Sequence, residues 1–162
     1  MALPATARHI PRVPPAPAGS SSALNAEGAI SPGRSALSVF AGFVLLFVLG
    51  LLAALTLPAI APALYPTGEH AVPTTSGLVL WLAAEAVNGV LAGLVTGRLA
   101  GRAPVAHAAA LGALNGFYAM TAMGELSSMP GWFAVGYALS APLGCIGGGL
   151  LAARVGARAA AR

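Results

Sequence analysis

Lysine and aspartate are absent from this chain, and its charge is carried by eight arginines and four glutamates in 162 residues. Charged residues make up 7% of the total, against roughly a quarter in a soluble domain. So few charges cannot cover a soluble core of this size. Without aspartate no Ser-His-Asp triad can be built, and without lysine no Gly-Lys-Ser phosphate loop. No His-Glu-x-x-His motif is present either. Cys145 is the single cysteine, so no intrachain disulfide can form. His9, His70 and His107 are far apart in sequence and give no metal-ligand spacing. The arginines form no basic stripe interleaved with aromatics, which argues against nucleic acid. An ordinary soluble enzyme, a disordered regulator and a nucleic-acid binder are thereby excluded. The reading is non-enzymatic, with no catalytic residue, metal or cofactor.

What is abundant is apolar. Hydrophobic residues are 57% of the chain and the mean hydropathy is +0.83. Those values belong to an integral membrane protein. Residues 1–34 differ from the rest, with Pro4, Pro11, Pro14, Pro15, Pro17 and Pro32 beside the Gly19–Ser22 run. Such a segment cannot offset its ordering entropy and reads as a disordered tail. The first long apolar run begins near residue 35, with no short hydrophobic region of a secretory signal before it.

Residues 35–153 contain four apolar segments, predicted as helices over 35–57, 77–97, 104–123 and 132–152. A spanning helix needs about 20 residues. Pro58 is expected to stop the first. Gly101 suits a left-handed helix end and Pro104 a first helical position, so a tight antiparallel hairpin is expected between helices two and three. The proline-rich 58–76 connection should be extended or turn-like. Residues 154–162 form an Arg/Ala-rich tail. The predicted fold is all-α, a membrane four-helix bundle with a disordered N-terminal tail.

Orientation follows from arginine. Arg8, Arg12 and Arg34 precede the first helix, Arg98 and Arg102 separate the second and third, and Arg154, Arg158 and Arg162 follow the fourth. The 58–76 and 124–131 loops contain none. The positive-inside rule then places both termini in the cytoplasm. Trp81 and Trp132 fall near the opposite helix ends, where interfacial anchors occur. The Ala, Arg and Gly bias without lysine suggests a bacterial genome of high GC content, hence a multi-pass protein of the inner membrane.

Small residues recur every four positions. Helix two carries Gly89, Gly93, Gly97 and Gly101, helix three Gly112 and Gly116, and helix four Gly136, Ser140, Gly144 and Gly148. Rows of this glycine-zipper kind let helices approach closely in lipid. They point to a compact core of helices two, three and four, with helix one facing lipid and Cys145 as a small packing residue. Close packing alone accounts for the rows. The other use is a homo-oligomer seam, a contact with a membrane-protein partner, or a narrow pore. Pro142 is expected to kink helix four.

Glu85 is the residue with the highest cost. A carboxylate in mid-helix costs roughly 2.5–3.5 kcal/mol on insertion scales. Arg98 lies 13 residues further along the helix, about 20 Å at 1.5 Å per residue, so no cation is at hand. Asn88 shares its face. Counted from the helix ends remote from the arginines, Asn115 and Ser140 fall at the same depth, with Tyr118 and Tyr137 about one turn nearer that end. Glu85, Asn88, Asn115 and Ser140 are therefore the candidate intramembrane polar layer, joined by Tyr118 or Tyr137. One version is a neutral, hydrogen-bonded Glu85 that fixes helix register. The other is a proton or cation site of a transporter or channel. His107, in the first turn of helix three, suits headgroup contact, capping of the hairpin or a pH switch. Glu69, His70 and Glu125 read as solvated loop residues.

The stretch GVLAGLVTGRLAGRAPVAHAAALG covers Gly89–Gly112. Its Gly97-Arg98-x-Ala100, then Pro104, His107-Ala108 and Leu111-Gly112, resembles the helix 2–3 hairpin of small four-span uncharacterised bacterial membrane proteins. The resemblance spans about 25 residues. It implies an inner-membrane location and carries over no functional residue. In size the chain is also similar to small multidrug transporters, whose essential Glu lies in their first helix. Helix one here has no acid, which weighs against that family. Two readings remain: a structural or interaction protein packed through glycine faces, or an ion- or proton-coupled small transporter or channel subunit using Glu85.

Overall fold

The computed structural model describes residues 32–67, 71–121 and 128–162. They form four helices: α1 Pro32–Ile60, α2 Thr75–Ala100, α3 Pro104–Thr121 and α4 Gly131–Ala160. By length and composition α1, α2 and α4 can each cross a membrane. The chain is a polytopic membrane protein with an all-α four-helix architecture. α3 is shorter, at 18 residues, and carries His107, Asn115 and Tyr118 among its apolar positions. It is not among the helices apolar enough to span by composition. The expected tail at 1–34 lies outside the described residues up to 31; Pro32–Arg34 belong to α1 instead, because proline is tolerated in a first helical turn.

The helix ends follow from local chemistry. α1 does not stop at Pro58 but passes through it, and the Ala61 amide still bonds the Leu57 carbonyl at 3.0 Å. A proline in the last turn removes one bond from a helix that is ending anyway. α2 opens on Thr74, whose hydroxyl accepts from the Gly77 amide at 3.2 Å. It closes on Gly101 at φ 71°, a conformation glycine takes without Cβ strain. Ala103, at φ 49°, completes the reversal, and α3 begins on Pro104. α4 continues past 152 to Ala160, so most of the expected tail is helical. Ala and Arg, which fill that extension, are strong helix formers.

The helices alternate in direction. Gly42 of α1 meets Thr96 of α2, while Gly50 meets Glu85, so the two run antiparallel. Gly89, Gly93 and Gly97 face Ala141, Cys145 and Ala152, so α2 and α4 run parallel. The α2–α4 contact is the most extensive, followed by α3–α4 and α1–α2. Despite their short connection, α2 and α3 touch each other less than either touches α4. Among the described residues α1 and α4 are the diagonal pair, with no close backbone approach between them.

Backbone proximity explains the α2–α4 seam. A Cβ at Gly89 would strike the Ala141 carbonyl, and one at Gly93 the Cys145 carbonyl. From the other side, Gly144 abuts the Ala86 carbonyl and Gly148 the Val90 carbonyl. Gly136 faces the Leu82 side chain, and a Cβ at Gly112 would stand 3.1 Å from the Pro142 backbone. Dispersion between close backbones is the main attraction available in lipid. Leu46, Ala92, Leu111, Ala141 and Cys145 form the core cluster beside this seam. α1 thus supplies Leu46 to the core, and Gly42 and Ser38 are also buried. Leu57 is buried as well, and the opposite face of α1 points outward, with Leu37, Phe40, Phe47 and Leu55 more than half exposed. Exposed to water, such a face would forfeit about 25 cal/mol per Å²; a lipid environment removes that cost.

Candidate functional site

Among the described residues the only acid is Glu85, on α2 ten residues after its first residue Thr75, about 15 Å along the axis. It borders a cavity of about 200 Å³ at the end of the bundle remote from the arginines. All four helices line it. α2 contributes Trp81 and Glu85, α3 Asn115 and Tyr118, and α4 Tyr137. α1 closes it with Phe43, Phe47 and the backbone at Gly50, among other apolar groups. Gly50 matters because the Glu85 Oε1 lies 3.8 Å from where its Cβ would stand. The carboxyl therefore reaches to the α1 main chain.

The expected polar layer is split by the structure. Glu85 and Asn115 line one cavity, together with Tyr118 and Tyr137. Asn88 and Ser140 do not line it. Asn88 is 8% exposed, and its Nδ2 is buried without a hydrogen-bond partner. Ser140 turns back on its own helix and donates to the Tyr137 carbonyl at 3.3 Å, a common local bond for serine in a helix. Depth alone placed Ser140 with the others; its direction around α4 does not.

Trp81 was expected as an interfacial anchor, and it instead forms a wall of the cavity. Its Nε1 is buried with no partner. The preceding connection folds back onto it: the Tyr65 ring lies 6.2 Å from the Trp81 ring, and the Tyr65 hydroxyl donates to the Gly77 carbonyl at 2.8 Å. The signal in the sequence was the spacing of Trp81, Glu85 and Asn88, which fall on one helical face at i, i+4 and i+7. That face carries a carboxyl flanked by two donors without partners. Trp132, by contrast, is exposed near the start of α4.

Charge is segregated along the bundle axis. Arg34, at the start of α1, donates from Nε to the Leu99 carbonyl at 3.1 Å, at the end of α2. Arg98, Arg102 and Arg154 belong to the same end. No ion pair to Glu85 is found among the described residues. The other polar side chains of the same cavity lining are Asn115, Tyr118 and Tyr137. Tyr118 is about half exposed.

The remaining sequence candidates are structural in their contacts. His107 pairs Nδ1 with the Ala103 carbonyl at 3.0 Å and so caps the hairpin. Cys145 is fully buried in the core. Glu69, His70 and Glu125 lie outside the described residues. Among the described residues no cluster of metal ligands occurs.

No protein-family model, curated protein or solved structure matches the chain. The resemblance in the Gly89–Gly112 hairpin therefore stands on its own residues, and what the fold adds is architectural: four helices, three of them long and apolar enough to span a membrane.

Proposed function

We propose that this protein is an ion- or proton-coupled small transporter or channel subunit, with Glu85 as its exchange site. One observation carries the reading: a membrane-depth carboxyl with no counter-ion among the described residues meets hydrogen-bonding groups from α3 and α4 around a single cavity. Ionisable residues inside membranes are costly and are used for ion and proton pathways. The reading is non-enzymatic. Positive-inside charge supports a cytoplasmic arginine end and an inner-membrane location, with the Glu85 cavity in the outer half.

The competing reading, a structural or interaction protein, draws support from the exposed apolar face of α1. It does not draw on the α2–α4 glycine rows, because those faces are occupied within the chain.

Carbodiimide labelling of the purified protein, with Glu85→Gln as control, tests the choice. Labelling at Glu85 that varies with pH and disappears in Glu85→Gln is the expected result, followed by ion or proton flux in liposomes that the same variant abolishes. A Glu85 that resists labelling at every pH would remove the exchange site and leave the interaction reading in its place.

A further inference from the structure

The cavity beside Glu85 is selective in what surrounds it. Among the described residues its polar walls hold one acid and no base, and the rings of Phe43, Phe47, Trp81, Tyr118 and Tyr137 make up the aromatic part of the lining. Ten aromatic residues occur in the whole chain (two Trp, three Tyr and five Phe), so half of them converge here. An anion is repelled by the carboxylate, and a neutral solute gains only hydrogen bonds to Asn115 and the two tyrosines. A cation gains twice, from the carboxyl and from the negative faces of the rings.

Size narrows the class. At about 200 Å³ the cavity is below the roughly 300–1,000 Å³ of drug-sized pockets. A large aromatic dye does not fit. A bare alkali ion would leave most of the rings without a partner and would have to shed water that they do not replace. A methylated ammonium matches both requirements, because its charge is spread over an apolar surface that aromatic walls solvate.

We infer that the cavity bounded by Glu85 and these five rings binds a small quaternary or tertiary ammonium group, with Glu85 as counter-ion. This inference rests on the reading of Glu85 as an exchange site and names the chemistry of what is exchanged. The same group occurs on free choline-like solutes and on phosphatidylcholine headgroups.

The test uses the full chain with Trp132→Phe, which leaves Trp81 as the reporter. Choline is titrated against tryptophan fluorescence, in parallel with its uncharged tert-butyl isostere. A saturable change with choline, at least about tenfold weaker with the isostere, is expected. Glu85→Gln, checked for folding by gel filtration, should weaken choline by a similar factor. Tyr118→Leu should also weaken it, while Tyr118→Phe keeps the ring and the affinity; these two hold the test open should Glu85→Gln not fold. Weaker choline binding in phosphatidylcholine nanodiscs than in phosphatidylglycerol ones assigns the group to a headgroup, and equal binding assigns it to a free solute; both support the site. Equal affinity for the isostere, no saturable change, or unaltered binding in folded Glu85→Gln overturns it. Carbodiimide labelling separates the two failures. A labelled Glu85 with no ammonium binding leaves the exchange site standing and removes only the ligand class. An unlabelled Glu85 removes the exchange site itself.

Discussion

Gly93 of α2 lies directly beneath the Cys145 carbonyl of α4, so close that the glycine hydrogen occupies the space a methyl group would need. The atom it meets is backbone, which cannot swing aside as a side chain can. Gly93→Ala should therefore force the two helices apart. Overpacking of this kind costs about 1–3 kcal/mol. Gly116 and Gly156 are the internal controls. A Cβ at Gly116 would meet Pro142 at an ordinary 3.5 Å, and one at Gly156 would meet nothing within 4 Å. Alanine at either site should be neutral or stabilising by up to about 1 kcal/mol through helix propensity. Denaturant unfolding in detergent would order the three variants. A Gly93→Ala protein as stable as wild type would mean that the α2–α4 seam is looser than described.

A second expectation concerns the α1–α2 connection. Tyr65 is 5% exposed and donates its hydroxyl to the Gly77 carbonyl. Burial raises its phenol above the usual tyrosine value. The fold therefore holds the protonated form. The stability this contributes is complete below the unfolded value near pH 10 and is lost as pH rises through the raised one. The phenolate absorbance of wild type minus that of Tyr65→Phe isolates this group. Its midpoint should lie above that of free tyrosine. Tyr65→Phe itself should cost about 1 kcal/mol, the net worth of one hydrogen bond. A midpoint at or below the free value would show that the connection does not fold back on α2.

Much of this arrangement could be read from the chain before any coordinates. Gly101 and Pro104 specify the reversal between α2 and α3 because each residue type has one favoured use there. The membrane depth of Glu85 and Asn115 follows from counting along helices of fixed rise. Direction around the helix axis was harder to read. Ser140 has the right depth and the wrong azimuth, since α4 is rotated to press Gly144 and Gly148 onto α2. Trp81 was hidden for a different reason: what buries it is Tyr65, brought back by a connection whose turns no periodicity announces. Pro58 misled because a proline near a helix end and one that ends a helix look alike in sequence.

The arginine end supplies a third prediction. Arg34 lies at the start of α1 and bonds the Leu99 carbonyl in the last turn of α2. A cation there satisfies an orphan carbonyl and opposes the negative end of the helix dipole. Arg34 is exposed, so salt screens the charge part of the effect. Arg34→Ala should cost roughly 0.3–1 kcal/mol at low salt and less at high salt. Faster amide exchange at the α2 C-terminus, with the rest of the bundle unchanged, would locate the loss. If Arg34→Ala leaves exchange there untouched, the clamp is not a stabilising contact.

The cavity itself predicts a contrast between two neighbouring asparagines. Asn115 lines it, whereas Asn88 is packed away from it on α2. Each can be replaced by cysteine in the native background, because Cys145 is fully buried and should stay unreactive. A small cationic thiol reagent should then modify Asn115→Cys readily and Asn88→Cys slowly. Choline, if it occupies the cavity, should protect position 115 and leave the slow rate at 88 unchanged. The comparison needs no assumption about transport, since both thiols sit at similar membrane depth and differ mainly in direction. Equal rates at the two positions would mean that the space beside Glu85 is not bounded by α3 in the way the structure places it.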